Sequence, residues 1–222
     1  MIPSRIDPVR SSRRVLEPQE RIAEVLFGLI MVITFTGSLS VASAGRDDVH
    51  AMVVAALGCN LAWGIIDAVF YLMGSLADRG RRLSTLRALK AADRIEDAER
   101  LLASALPPLI ASVIDPIEVT AICRKLSALP EPPPTKLTSR DLVGGLAVFL
   151  LVFLSTFPVA IPFVVLHDVA FAKRLSNAIA LAMLFVVGAV YGRVIGRSPW
   201  LYGIAVTGLG CVLVALTIAL GG

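Results

Sequence analysis

Five apolar blocks, 22–44, 51–74, 142–166, 178–195 and 200–220, punctuate the chain, and a polar stretch over 76–140 separates the second from the third. Each block is close to the ~20 residues an apolar helix needs to cross hydrocarbon. A bilayer offers no partner to unpaired backbone groups, so the blocks predict five transmembrane helices in a two-plus-three arrangement. Inside the polar stretch the pattern changes. Leu86, Leu89, Ile95, Ala98, Leu101 and Leu102 recur at near-helical spacing between charges, which predicts an amphipathic helix over 84–105. Pro107 and Pro108 end it. Asp115, Pro116 and Glu118 then supply a cap, an N1 proline and an N3 acid, the signature of another helix start. Residues 130–134, four prolines around Glu131, read as a stiff linker, after which Thr138 or Ser139 can cap the third membrane helix.

The expected fold is therefore all-α and polytopic. It comprises a tail (1–21), two membrane helices (22–75), a cytosolic helical insertion with its proline-rich linker (76–140), and three more membrane helices (141–222). Composition agrees: 56% of the 222 residues are hydrophobic and only 17% charged. That exceeds what a single soluble core requires.

Charge orients the bundle. Of the 21 lysines and arginines, five lie at or before Arg21, eleven in 76–140, and two, Arg193 and Arg197, between the last two blocks. Arg46, Lys173 and Arg174 make up the remainder. The positive-inside rule then predicts a cytoplasmic N-terminus and central segment, with the C-terminus outside. The net charge of +4 follows from this topology and does not call for nucleic acid as a partner. The expected location is a membrane crossed several times, the inner membrane for a bacterial chain. Arg10, Arg13 and Arg14 before an apolar run ending in Ala42-Ser43-Ala44 imitate a secretory signal, but a run of more than 20 residues predicts a retained span. Cys59, Cys123 and Cys211 lie far apart without metal-ligand spacing and read as free thiols.

Polar residues within the apolar blocks are the candidates for chemistry. Asp67 is the acid well inside a block, and an intramembrane carboxylate is by default a candidate for ion or proton handling. Asn60, Gly64, Asp67, Tyr71 and Gly74 form a stripe at steps of three and four that should face protein. Glu24, Gly28, Met31, Thr34 and Ser38 form a similar stripe on the first helix, suited to close packing or to lining a polar path. Pro158 and Pro162 predict a kink and free the carbonyls of Leu154 and Pro158. Gly188, Gly192 and Gly196 predict a close helix crossing. Asp47, Asp48, His50, His167 and Asp168 share the outer face, where capping accounts for them without a metal. Asp93, Glu96, Asp97 and Glu99 alternate with arginines and read as a solvated charged face with a Glu96–Arg100 pair, the alternative being weak cation ligands at Glu96 and Glu99. No nucleophile motif or phosphate-binding loop appears, so enzymatic activity has no support.

The two-plus-three layout with a cytosolic helical insertion resembles the vacuolar iron transporter family. Phe27-Gly28 is similar to that family's opening F-G, residues 153–163 to its proline-bearing third helix, and residues 188–192 to its glycine-containing fourth helix. The resemblance implies export of Fe2+ or Mn2+ from the cytosol as transported cargo, with no resident cofactor, coupling to protons, and a homodimer whose pore lies between first helices. Asp67, Glu24, Asn60, Met31, Thr34 and Ser38 are then the candidates along the path, with Asp67 and Glu24 as metal ligands. Two departures bear on this. The family's acid-glycine pair after the F-G is replaced by Met31-Val32, and the insertion carries no methionine. The alternative expectation is a non-transporting scaffold of the same fold whose cytosolic unit binds a partner.

Overall fold

The computed structural model describes residues 16–37, 45–130 and 134–219. These residues form helices and no strands: α1 (Pro18–Gly37), α2 (Arg46–Lys90), α3 (Ile95–Ala105), α4 (Pro108–Ala111), α5 (Pro116–Ser127), α6 (Ser139–Ser155), α7 (Phe157–Val165), α8 (Val169–Val194) and α9 (Pro199–Ala219). Among the described residues four segments are long and apolar enough to cross a membrane: α2, the α6–α7 pair, α8 and α9. α1 has the length, but Glu20, Arg21 and Glu24 crowd its first two turns, and residues 38–44 of the expected first span lie outside the described residues. The tail up to residue 15, the small-residue run 42–44, and 131–133 of the linker also lie outside them.

The chain divides into two compact units, residues 1–71 with 139–222, and residues 72–138. The first has its core where α1, α2, α7 and α8 meet, at Leu29, Val32, Ile33, Ala56, Val159, Ala180 and Leu184. A smaller cluster joins Val49, Met52 and Val53 of α2 to Ala160 and Phe163 of α7 and Ala172 of α8. Helix starts follow the acids: Asp168 accepts from the Phe171 N–H at 3.0 Å, and Asp48 from the Gly45 N–H at 2.7 Å. The expected proline kink is a break. α6 ends at Ser155 and α7 begins at Phe157, because Pro158 can supply no N–H to the turn before it.

α8 and α9 form a tight hairpin. A Cβ on Gly188 would fall 2.5 Å from the Tyr202 carbonyl oxygen, and one on Gly192 3.0 Å from that of Ser198, so both glycines mark the crossing. Gly196 corrects the expectation of a three-glycine packing stripe. It lies beyond the helix at φ 69°, with open space around it. The Arg197 N–H bonds the Gly192 carbonyl at 2.8 Å and the Gly196 N–H that of Arg193 at 3.2 Å, a Schellman turn in which Gly196 takes the left-handed position.

The second unit is built around Leu89, Ala98, Leu102 and Cys123, with Val119, Ile122 and Leu126 packed against them. The expected helix over 84–105 is interrupted at 91–94, between α2 and α3. Leu89 and Leu102 explain why: on one straight helix they would stand about 20 Å apart, and only a break lets them join one cluster. α5 starts as predicted, with Pro116 at N1 and the Glu118 carboxylate accepting from the Asp115 N–H at 3.2 Å.

Candidate functional site

The seam between α1 and α2 gathers the polar candidates. The helices run antiparallel there, so rising numbers on one meet falling numbers on the other. At one end stand Glu24 and Asp67, both half-buried, with the Asp67 charge acting on Glu24. Glu20 adds a third carboxylate nearby, but its Oε2 already accepts from the Glu17 N–H at 2.7 Å. One turn further in, Phe27 and Trp63 meet edge to face with ring centroids 5.4 Å apart. Beyond them Asn60, fully buried, donates from Nδ2 to the Gly28 carbonyl at 3.2 Å and to the Thr156 hydroxyl at 2.5 Å. Its Oδ1 is buried without a hydrogen-bond partner.

The predicted stripe on α2 thus faces protein. Gly64 lies under Phe149, where a Cβ would approach the ring to 3.0 Å, and the Tyr71 ring covers Gly144. Asp67 belongs to the same row. Gly74, at its end, has open space around it.

The stripe on α1 divides. Gly28 is pressed on α6, where a Cβ would fall 2.6 Å from the Val152 carbonyl oxygen. Thr34 is exposed, its hydroxyl bonded to the Ile30 carbonyl at 2.9 Å, and Met31 is half-buried. Glu24, Met31 and Thr34 share a face of α1 turned away from the buried row of Leu29, Val32, Ile33 and Thr36. Ser38 lies outside the described residues.

Glu96 and Glu99 belong to the second unit. The Glu99 carboxylate accepts from the Thr120 hydroxyl and ties α3 to α5. Arg100 pairs with Asp97 at 3.6 Å, in place of the expected partner Glu96. Among the described residues no three His, Cys, Asp or Glu side chains converge as a metal-ligand group. Of the residues expected on the outer face, Asp48 and Asp168 accept from backbone N–H groups at helix starts.

Two contributors were not anticipated. Thr156, at the break between α6 and α7, completes the Asn60 node. Lys173, expected in a loop, lies in α8, buried, with Nζ 3.3 Å from the Gly37 carbonyl of α1. Ser176, one turn on, donates to the Val159 carbonyl at 2.8 Å. A signal existed: Lys173, Ser176, Ala180, Leu184, Gly188 and Gly192 recur at steps of three and four, one continuous buried row.

Comparison with protein-family models and with curated proteins finds no match to this chain.

Proposed function

We propose that this chain is a membrane transporter of divalent transition-metal cations, iron or manganese, in which Glu24 and Asp67 exchange a cation for protons. The observation that carries the reading is a pair of half-buried carboxylates, one on α1 and one on α2, each one turn from the Phe27–Trp63 contact that joins the two helices. Two like charges in a low-dielectric site favour a bound cation or a retained proton, which is the exchange a coupled transporter needs. Phe27 and Trp63 meet edge to face one turn from the pair. In this reading α1 is a fifth span, with its charged first turns at the cytoplasmic boundary and residues 76–140 as a cytosolic insertion. The α1 face holding Glu24, Met31 and Thr34 would meet a second copy, whose own α1 supplies further ligands.

A second reading, a non-transporting scaffold, is favoured by one feature: Asn60 directs its amide to Gly28 and Thr156, a packing use of a polar stripe. Uptake of Mn2+ and Fe2+ into proteoliposomes decides between them. Transport by the wild-type protein, lost in Asp67→Asn and Glu24→Gln, is expected. Undiminished transport by Asp67→Asn removes the assigned role, and no transport by correctly folded wild-type protein favours the scaffold.

A further inference from the structure

α1, α6 and α8 line a groove of about 510 Å³. Its floor is apolar. Ala147, Leu151 and Leu154 line it from α6 at steps of four and three, spanning roughly 10 Å along the helix axis, with Val25 from α1 and Met183 from α8 as its sides. At one end stands the guanidinium of Arg21, an exposed residue and, among the described residues, the one charged side chain lining the groove. No carboxylate among the described residues forms a salt bridge with it. Leu154, toward the other end, is 53% exposed.

We infer that this groove binds one anionic phospholipid, an acyl chain lying along α6 and the headgroup phosphate on Arg21. A trough of this size with apolar walls suits a chain-like apolar ligand. Arginine is the cation best matched to a phosphate, because its planar fork can bond two oxygens at once. The two halves occur in the order a phospholipid presents them: charge at the helix start, hydrocarbon toward the interior. Arg21 opens α1 at the end the charge distribution assigns to the cytoplasm, the leaflet face where basic side chains meet anionic lipids. The site shares no residue with the Glu24–Asp67 pair and does not rest on the transport reading.

The test is native mass spectrometry of the full-length protein in detergent, titrated with phosphatidylglycerol or phosphatidylcholine of identical chains. The wild-type protein should retain one phosphatidylglycerol per protomer and prefer it about fivefold, the worth of one basic side chain at a membrane surface. Arg21→Gln, at an exposed position, leaves the packing intact and should abolish the preference. Ala147→Phe fills the groove and should lower retention of both lipids. Equal retention of the two lipids by the wild-type protein overturns the inference, as does a preference unchanged in Arg21→Gln. If Ala147→Phe converts a dimer to a monomer with lipid retention unchanged, the groove belongs to a second copy and the inference likewise fails.

Discussion

Asn60 on α2 reaches the Thr156 hydroxyl at 2.5 Å where the helix formed by α6 and α7 is interrupted, and the same amide nitrogen reaches the Gly28 carbonyl of α1. One side chain thereby ties three helical segments together at a fully buried point. Hydrogen bonds between membrane helices average about 0.6 kcal/mol and reach about 1.7. Asn60→Ala should therefore cost roughly 1–2 kcal/mol, once the cavity is included. Thr156→Val should cost less, because it keeps the shape. A double-mutant cycle read by unfolding in mixed micelles should show a coupling of at least about 0.5 kcal/mol between the two positions. Strict additivity would mean that the contact carries no stability.

The glycines separate by what surrounds them. Gly188→Val forces a branched side chain onto the Tyr202 carbonyl and should part α8 from α9, with a loss of several kcal/mol. Gly196→Ala meets no neighbour but keeps the left-handed backbone, so about 1–2 kcal/mol is expected. Gly58→Ala, inside α2 and facing open space, should be neutral or stabilising by up to about 1 kcal/mol. Melting temperatures in one detergent rank the three, and the order Gly58, Gly196, Gly188 is the expected result.

Much of this was legible because it depends on local pattern. The row Asn60, Gly64, Asp67, Tyr71 shows its polarity at helical spacing, and the Asp115–Glu118 box is written within four residues. What could not be read depends on partners distant in sequence. Nothing in 91–94 is a proline or glycine, yet the helix breaks there so that Leu89 can reach Leu102. Conversely, α2 runs through Gly74 and Gly80, whose cost of about 1 kcal/mol each does not stop a helix that is otherwise well supported. Lys173 looked like a loop charge, since its target, the Gly37 carbonyl, is 136 residues away. Gly196 looked like the third member of a packing row, because a turn glycine and a crossing glycine share the same four-residue spacing.

Cys123 is fully buried in the second unit, and burial, aided by the nearby Glu99 carboxylate, pushes its thiol above the ordinary thiol range. The folded protein should leave Cys123 unmodified by a maleimide at neutral pH, with labelling appearing only as the unit unfolds. The sign of the pH effect follows. The folded state holds the proton longer than the unfolded state does, so stability is intact below the unfolded thiol's range and falls as pH rises through it. Cys123→Ala should remove that alkaline loss. Peptide mapping after labelling, with and without denaturant, checks the first point, and melting curves across alkaline pH check the second.

Lys173 places a buried ammonium against the Gly37 carbonyl of α1. Lys173→Met retains most of the volume and removes both the charge and the bond to the Gly37 carbonyl. Leaving a buried acceptor without its donor costs about 1–3 kcal/mol, against which stands the relief of no longer burying a cation. A net loss of about 1 kcal/mol is expected. Arg174→Met, one residue on and exposed, should change stability by less than about 0.5 kcal/mol. Because the bond ties α8 to α1 at Gly37, Lys173→Met should also speed hydrogen exchange in α1 around Gly37 while leaving the stretch around Leu29 and Ile33 protected. Equal exchange around Gly37 in both variants would show that Lys173 is buried without holding this part of α1.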